Sequence, residues 1–129
     1  MRERALECYQ NGRGCSQSLL AAFEETFSIP VSGQVYDACN GMNTGFGIGG
    51  MCGAVIAGLM LFGLLFDDST ARRLRMVLFS RMAERGLSFD CVRLRQCGGD
   101  GCEELIGDVA ELVEGIIRKE KESGEGPIF

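Results

Sequence analysis

Seven cysteines and no histidine define the chemistry open to this chain. Four of them, Cys15, Cys52, Cys91 and Cys102, fall at or near a predicted helix start. Unpaired N–H groups and the dipole at a helix N-terminus favour the thiolate, drawing a thiol pKa below its usual ~8.5. A thiolate is both the nucleophile of disulfide exchange and a ligand for soft metals, so one placement suits both. Cysteine, like serine, is also a small residue that a helix start tolerates, which explains one or two positions better than four. Without histidine the usual general base is absent, and Ser-His or Cys-His catalysis is excluded unless a partner supplies it.

Spacing removes the common metal motifs. No CxxC, no CxxCH haem attachment and no paired CxxC ribbon occurs. In CVRLRQCGGDGC, from Cys91 to Cys102, the glycines permit a disulfide or shared ligation without specifying either. A site must therefore be assembled from separate helices. An odd number of cysteines cannot all pair within one chain. The N-terminal MRERALECYQ shows no apolar signal-peptide core, so the expectation is a cytoplasmic protein with mostly reduced thiols. In that setting many cysteines report metal or redox work more often than a disulfide framework. Any single one can instead be a small buried hydrophobe.

The net charge of −5 and a pI near 4.8 argue against nucleic acid, which requires a basic face. Arg72, Arg73 and Arg75 are the one basic group not diluted by acids, and a solvated helix face is the expected role.

The elements that must position the cysteines are all helical. Residues 2 to 10 read as a short polar helix carrying Cys8 and ended by Asn11-Gly12. Gly14-Cys15-Ser16 opens a second helix through about Thr26, with Leu19, Ala22, Phe23 and Phe27 as its apolar stripe. Pro30 stops its continuation. Ser32 can cap a third helix, where Val31, Val35, Cys39 and Met42 share a face. Cys39 is thus as well placed for the core as for ligation.

The glycine-rich NGMNTGFGIGG, Asn40 to Gly50, lacks both GxxxxGK[ST] and a strand-led GxGxxG, so nucleotide binding is disfavoured. From about Met51 to Phe66 the chain is uncharged and apolar all round, which predicts burial on all sides. The pairs Gly53, Ala57 and Ala54, Gly58 are small residues four apart that allow close packing, as in membrane helices. Sixteen residues at about 1.5 Å each reach only about 24 Å, short of a roughly 30 Å bilayer core, so a buried central helix is favoured over a membrane span.

Ser69 is the expected N-cap of the next helix, with Ala71, Leu74, Val77, Leu78 and Met82 inward and Gly86 as its stop. A short helical turn and glycine loop follow from Cys91. The last helix starts near Cys102, where Asp100 and Glu103 have capping-box spacing. Its core face is Leu105, Ile106, Val109, Leu112, Val113, Ile116 and Ile117. With no strand pattern and no repeat, the expected fold is all-α. A single domain over 1–122 places five or six helices around the 51–66 segment, and 123–129 is expected to be a disordered tail.

The cysteine order resembles the C_GCAxxG_C_C family of redox-active proteins. The first cysteine of the pattern is Cys15 in GRGCSQSLLAAF, the glycine block is GFGIGGMCGAVIAG with Cys52, and the later two are Cys91 and Cys97. The match runs over roughly residues 5 to 100. A literal Gly-Cys-Ala-x-x-Gly is replaced by Gly50-Met51-Cys52-Gly53-Ala54-Val55-Ile56-Ala57-Gly58, and Cys8, Cys39 and Cys102 lie outside the pattern. The resemblance implies an all-helical protein whose cysteines do redox or metal chemistry, and it names no substrate.

Three readings follow. In the first, Cys15, Cys52, Cys91 and Cys97 converge near the start of the central helix and perform thiol–disulfide electron transfer with a redox partner protein, Cys52 being the most activated thiol. Gly49, Gly50 and Gly53 let backbone N–H groups approach the sulfurs. In the second, the same four sulfurs bind an iron–sulfur cluster or another soft metal. In the third, the chain is a non-catalytic helical interaction module. A homodimer is compatible with all three.

Overall fold

The computed structural model describes residues 1–42, 45–90 and 100–123. Its elements are α1 (Arg2–Gln10), α2 (Cys15–Phe27), α3 (Gly33–Ala38), a π-helical turn (Gly45–Gly49), α4 (Gly53–Leu65), α5 (Asp68–Glu84) and α6 (Asp100–Glu122). The architecture is all-α, as the periodicity predicts. The only pairing of β type among the described residues is an isolated antiparallel bridge between Met51 and Asp90.

Helix ends follow local chemistry. At the end of α1, Gly12 takes φ 98, with Gly12 N–H on Tyr9 O at 3.1 Å and Arg13 N–H on Cys8 O at 3.1 Å. The end of α5 repeats this: Gly86 has φ 70, its N–H reaches Ala83 O at 3.0 Å, and Leu87 N–H reaches Met82 O at 2.9 Å. These paired bonds satisfy carbonyls that a helix terminus leaves open. Ser32 caps α3 through Gln34 N–H at 3.2 Å. At α5 the cap is Asp67, not Ser69: its carboxylate accepts Thr70 N–H at 2.8 Å and the helix starts at Asp68. A carboxylate at this position also meets the helix dipole more favourably than a hydroxyl.

Helix α4 packs on α2, α5 and α6, and α1 closes the bundle against α2 and α6. Leu61 and Phe62 of α4 are fully buried with Leu19, Leu20 and Phe23 of α2, Leu78 and Met82 of α5, and Ile106, Val109, Val113 and Ile117 of α6. A Cβ on Gly58 would stand 2.8 Å from Val113 Cγ2, so this glycine sets how closely α6 approaches. The expectation of burial on all sides is corrected: Gly63 is exposed, and Ile56, Leu59, Met60 and Leu64 are half-buried along one stripe. A helix without charges needs only most of its surface covered. No helix among the described residues is long and apolar enough to cross a membrane. The helix itself is shorter than expected, because Met51 is held in the bridge and Cys52 is its N-cap.

Helix α1 is fastened to α6 by charge. Arg2 Nη1 meets Asp108 at 2.6 Å and Glu111 at 3.0 Å, while its side chain lies over Gly107. The predicted turn over 91–99 and the tail over 124–129 lie outside the described residues. Ser123 closes α6 in a turn, its hydroxyl donating to Glu120 O at 2.7 Å.

Candidate functional site

Helices α2 and α4 begin side by side, and a cysteine stands at each beginning. Cys15 is the first residue of α2, after the extended N-cap Gly14, and Cys52 is the N-cap of α4. Neither helix has a full side-chain cap hydrogen bond, so its first N–H groups remain available to the sulfurs. The two thiols are hydrogen-bonded to each other. Both are buried, Cys15 at 8% and Cys52 at 3% exposure.

The pair shares one proton unequally. The Cys52 thiol lowers Cys15 from an ordinary 9.0 to about 6, working against burial and helped by the backbone N–H groups of Ser16, Gly53 and Cys15 itself. Cys52 moves the other way: its hydrogen bond to Cys15 raises it, burial adds to that, and the Ala54 and Val55 N–H groups offset only part. The direction favours Cys15 as the thiolate and Cys52 as the donor, whereas the sequence pointed to Cys52 as the more activated thiol. Both cysteines sit at helix starts, but Cys15 also receives the N–H of the facing helix, at Gly53.

Gly53 makes the approach possible. A Cβ there would overlap Cys15 Sγ and lie 3.6 Å from Ser16 Cβ. Gly49 ends the π turn and Gly50 links it to Met51. Within the turn Phe46 and Gly47 have φ 61 and 79, so the predicted loop is a kinked helical turn. Its neighbours Phe46 and Ile48 are 51% and 84% exposed.

Cys91 and Cys97 lie outside the described residues. The chain leading to Cys91 is tied to the site: Cys52 N–H donates to Phe89 O at 2.8 Å, and Asp90, covalent neighbour of Cys91, bridges Met51. Cys102 is near the start of α6, as predicted, and nothing is assigned to its sulfur. Cys8 and Cys39 belong to other elements, the last turn of α1 and the end of α3. Cys39 is fully buried, its thiol on Val35 O at 3.4 Å, so it belongs to the core. None of Cys8, Cys15, Cys39 and Cys52 is in a disulfide.

Sequence reasoning did not single out two participants. Ser16 is fully buried beside Cys15, and its hydroxyl has no hydrogen-bond partner among the described residues. The Phe89 carbonyl contributes through backbone alone, which no side-chain pattern could reveal. Ser16 carried a signal, a hydroxyl directly after the cysteine of a predicted helix start.

No curated protein and no solved structure matches the chain. One family model does, over residues 14–116, under the description "Putative redox-active protein (C_GCAxxG_C_C)". The matched span opens one residue before Cys15 and continues into α6, further than the expected limit near residue 100. This chain belongs to the C_GCAxxG_C_C family of redox-active proteins.

Proposed function

We propose that the protein is a thiol–disulfide electron carrier whose reactive pair is Cys15 and Cys52. The observation that carries this reading is the pair itself: two buried, mutually hydrogen-bonded thiols at the adjoining starts of α2 and α4, with Cys15 shifted toward the thiolate and Cys52 toward the thiol. Exchange favours an attacking thiol whose pKa lies near the ambient pH. Cys15 thiolate attacks one sulfur of a partner disulfide, forming a mixed disulfide and releasing the first partner thiolate. Cys52 then gives up its proton and attacks Cys15 Sγ, forming the Cys15–Cys52 disulfide and releasing the second partner thiolate. Two electrons pass to the partner, and the cycle runs backward with a reduced dithiol. A cytoplasmic redox protein is the partner this chemistry fits.

Equilibration with graded mixtures of reduced and oxidised glutathione, followed by peptide mapping, tests the reading. The expected result is one two-electron couple and a Cys15–Cys52 bridge. Oxidised protein in which these two cysteines never link would sink it.

A second reading rests on the Met51–Asp90 bridge, which ties the approach to Cys91 beside Cys52. Cys15 and Cys52 are two soft donors suited to an iron–sulfur cluster or another thiophilic metal. Among the described residues no third His, Cys, Asp or Glu stands with them, so a four-sulfur set would draw on Cys91 and Cys97. Visible absorption of protein purified without oxygen separates the two readings. Charge-transfer bands bleached by dithionite favour the cluster, and a colourless protein favours the dithiol.

A further inference from the structure

A cleft between α5 and the end of α6 shares no residue with the thiol pair. Leu74, Val77 and Ile116 contribute its apolar lining, and its volume is about 440 Å³, within the range of small-molecule pockets. Arg73, Arg81 and Lys119 also line it.

The cations at this cleft stand beside apolar side chains. Among the described residues Arg2 pairs with Asp108 and Glu111, Arg4 with Glu7 and Glu25, Arg72 with Asp68 and Arg118 with Glu114, whereas Arg13, Arg75 and Lys121 form no ion pair. At the cleft Arg73 meets Glu120 at 2.5 Å. Arg81 and Lys119 form no ion pair among the described residues. Two acids line this cleft or the groove beside it. Glu120 is buried and engaged by Arg73, and Glu84 belongs to an adjoining groove that shares Arg73, Val77 and Arg81. In a chain of net charge −5, two unmatched cations beside one apolar cleft leave an excess of positive charge facing a greasy surface.

We propose that this cleft binds a small amphipathic anion, a carboxylate or phosphate monoester with an apolar body, seated on Leu74, Val77 and Ile116 with its charge against Arg81 and Lys119. The apolar body gains from leaving water, and the head group gains charge-assisted hydrogen bonds from side chains that need no rearrangement of existing ion pairs. Because Arg73 holds Glu120, it is not the residue to test: its loss would leave a buried carboxylate without its cation.

Calorimetric titration of the full chain with octanoate, octyl phosphate and 1-octanol tests the proposal, with chemical-shift mapping to locate the site. At least one anion is expected to bind, with shifts centred on Val77 and Ile116, and binding by only one of them names the head group. Octanol, with the same apolar body and no charge, is expected to bind about tenfold more weakly or less. Arg81→Gln and Lys119→Gln are each expected to weaken the anion by about tenfold, while Arg75→Gln, on the same helix but outside this cleft, leaves it unchanged. No binding of either anion, equal binding of octanol, or an unchanged affinity in the Arg81→Gln/Lys119→Gln double variant overturns it.

Discussion

Cys15 and Cys52 stand at the N-terminal ends of α2 and α4, whereas Cys8 lies in the last turn of α1 and Cys39 is the C-cap of α3. All four are buried, so burial does not distinguish them. What differs is the backbone group each sulfur meets. At an N-terminus the sulfur faces N–H groups, which stabilise negative charge; Cys39 instead gives its S–H to a carbonyl, that of Val35. A thiolate there would lie against oxygen lone pairs. Within one small core, the same side chain meets N–H groups or a carbonyl according to the end of the helix it occupies.

The sharpest break of this contrast is chemical. Cys15→Ala or Cys52→Ala is expected to abolish the two-electron couple outright, while Cys8→Ala and Cys39→Ala retain it with an unchanged midpoint. Loss of the couple in Cys39→Ala, with the fold intact by circular dichroism, would place reactivity elsewhere. Next in size is the glycine that admits the sulfur. Gly53→Ala should cost about 1–3 kcal/mol through overpacking and return Cys15 toward its ordinary titration, read by the ultraviolet absorbance of the thiolate. Gly58→Ala is the control, since its Cβ meets Val113 and not a cysteine. Chemical denaturation should register a similar cost there, with the thiolate signal unmoved.

A smaller effect is the pH dependence of stability. Between about 6 and 9.0 the unfolded chain holds a proton on residue 15 that the native protein lacks. Stability from Cys15 is therefore complete above 9.0 and is lost as pH falls through about 6. Cys52 contributes with the opposite sign: its stabilisation is present below 9.0 and fades as pH rises beyond it. Thermal midpoints of reduced protein should climb from pH 6 to about 9 and then decline, and the Cys15→Ala/Cys52→Ala variant should lose that profile. Smallest is Gly63→Ala, on the exposed face of α4 with nothing within 4 Å. It should stabilise by roughly 0.5–1 kcal/mol, because alanine loses less backbone entropy in a helix.

Much of this arrangement was legible in the chain. Apolar periodicity located the helices, Gly12 and Gly86 marked two ends, and the uncharged run from Met51 marked the centre of the bundle. Cys15 and Cys52 were legible as helix-start cysteines within a larger expected set, but their pairing depends on how α2 and α4 lie side by side. Their unequal ionisation was not legible, since it depends on which helix offers its N–H groups across the interface. The Asp67 cap was missed because Asp67, Asp68 and Ser69 all have capping chemistry, and only the path of the chain selects among them. The one-sided exposure of α4 was hidden for a different reason. A helix with no polar face gives no sign of which side its neighbours leave open.

One further consequence follows from the groups that depress Cys15. They are first the Cys52 thiol and then three backbone N–H groups, so no charged side chain takes part in the polarising device. Substituting a lysine or arginine cannot remove it. Only loss of the Cys52 thiol, or a change that deletes an N–H or moves the chain, such as proline at 16 or 53, can. The lowered pKa of this thiol is therefore set by position in the fold, and it should tolerate extensive change on the charged surface around it.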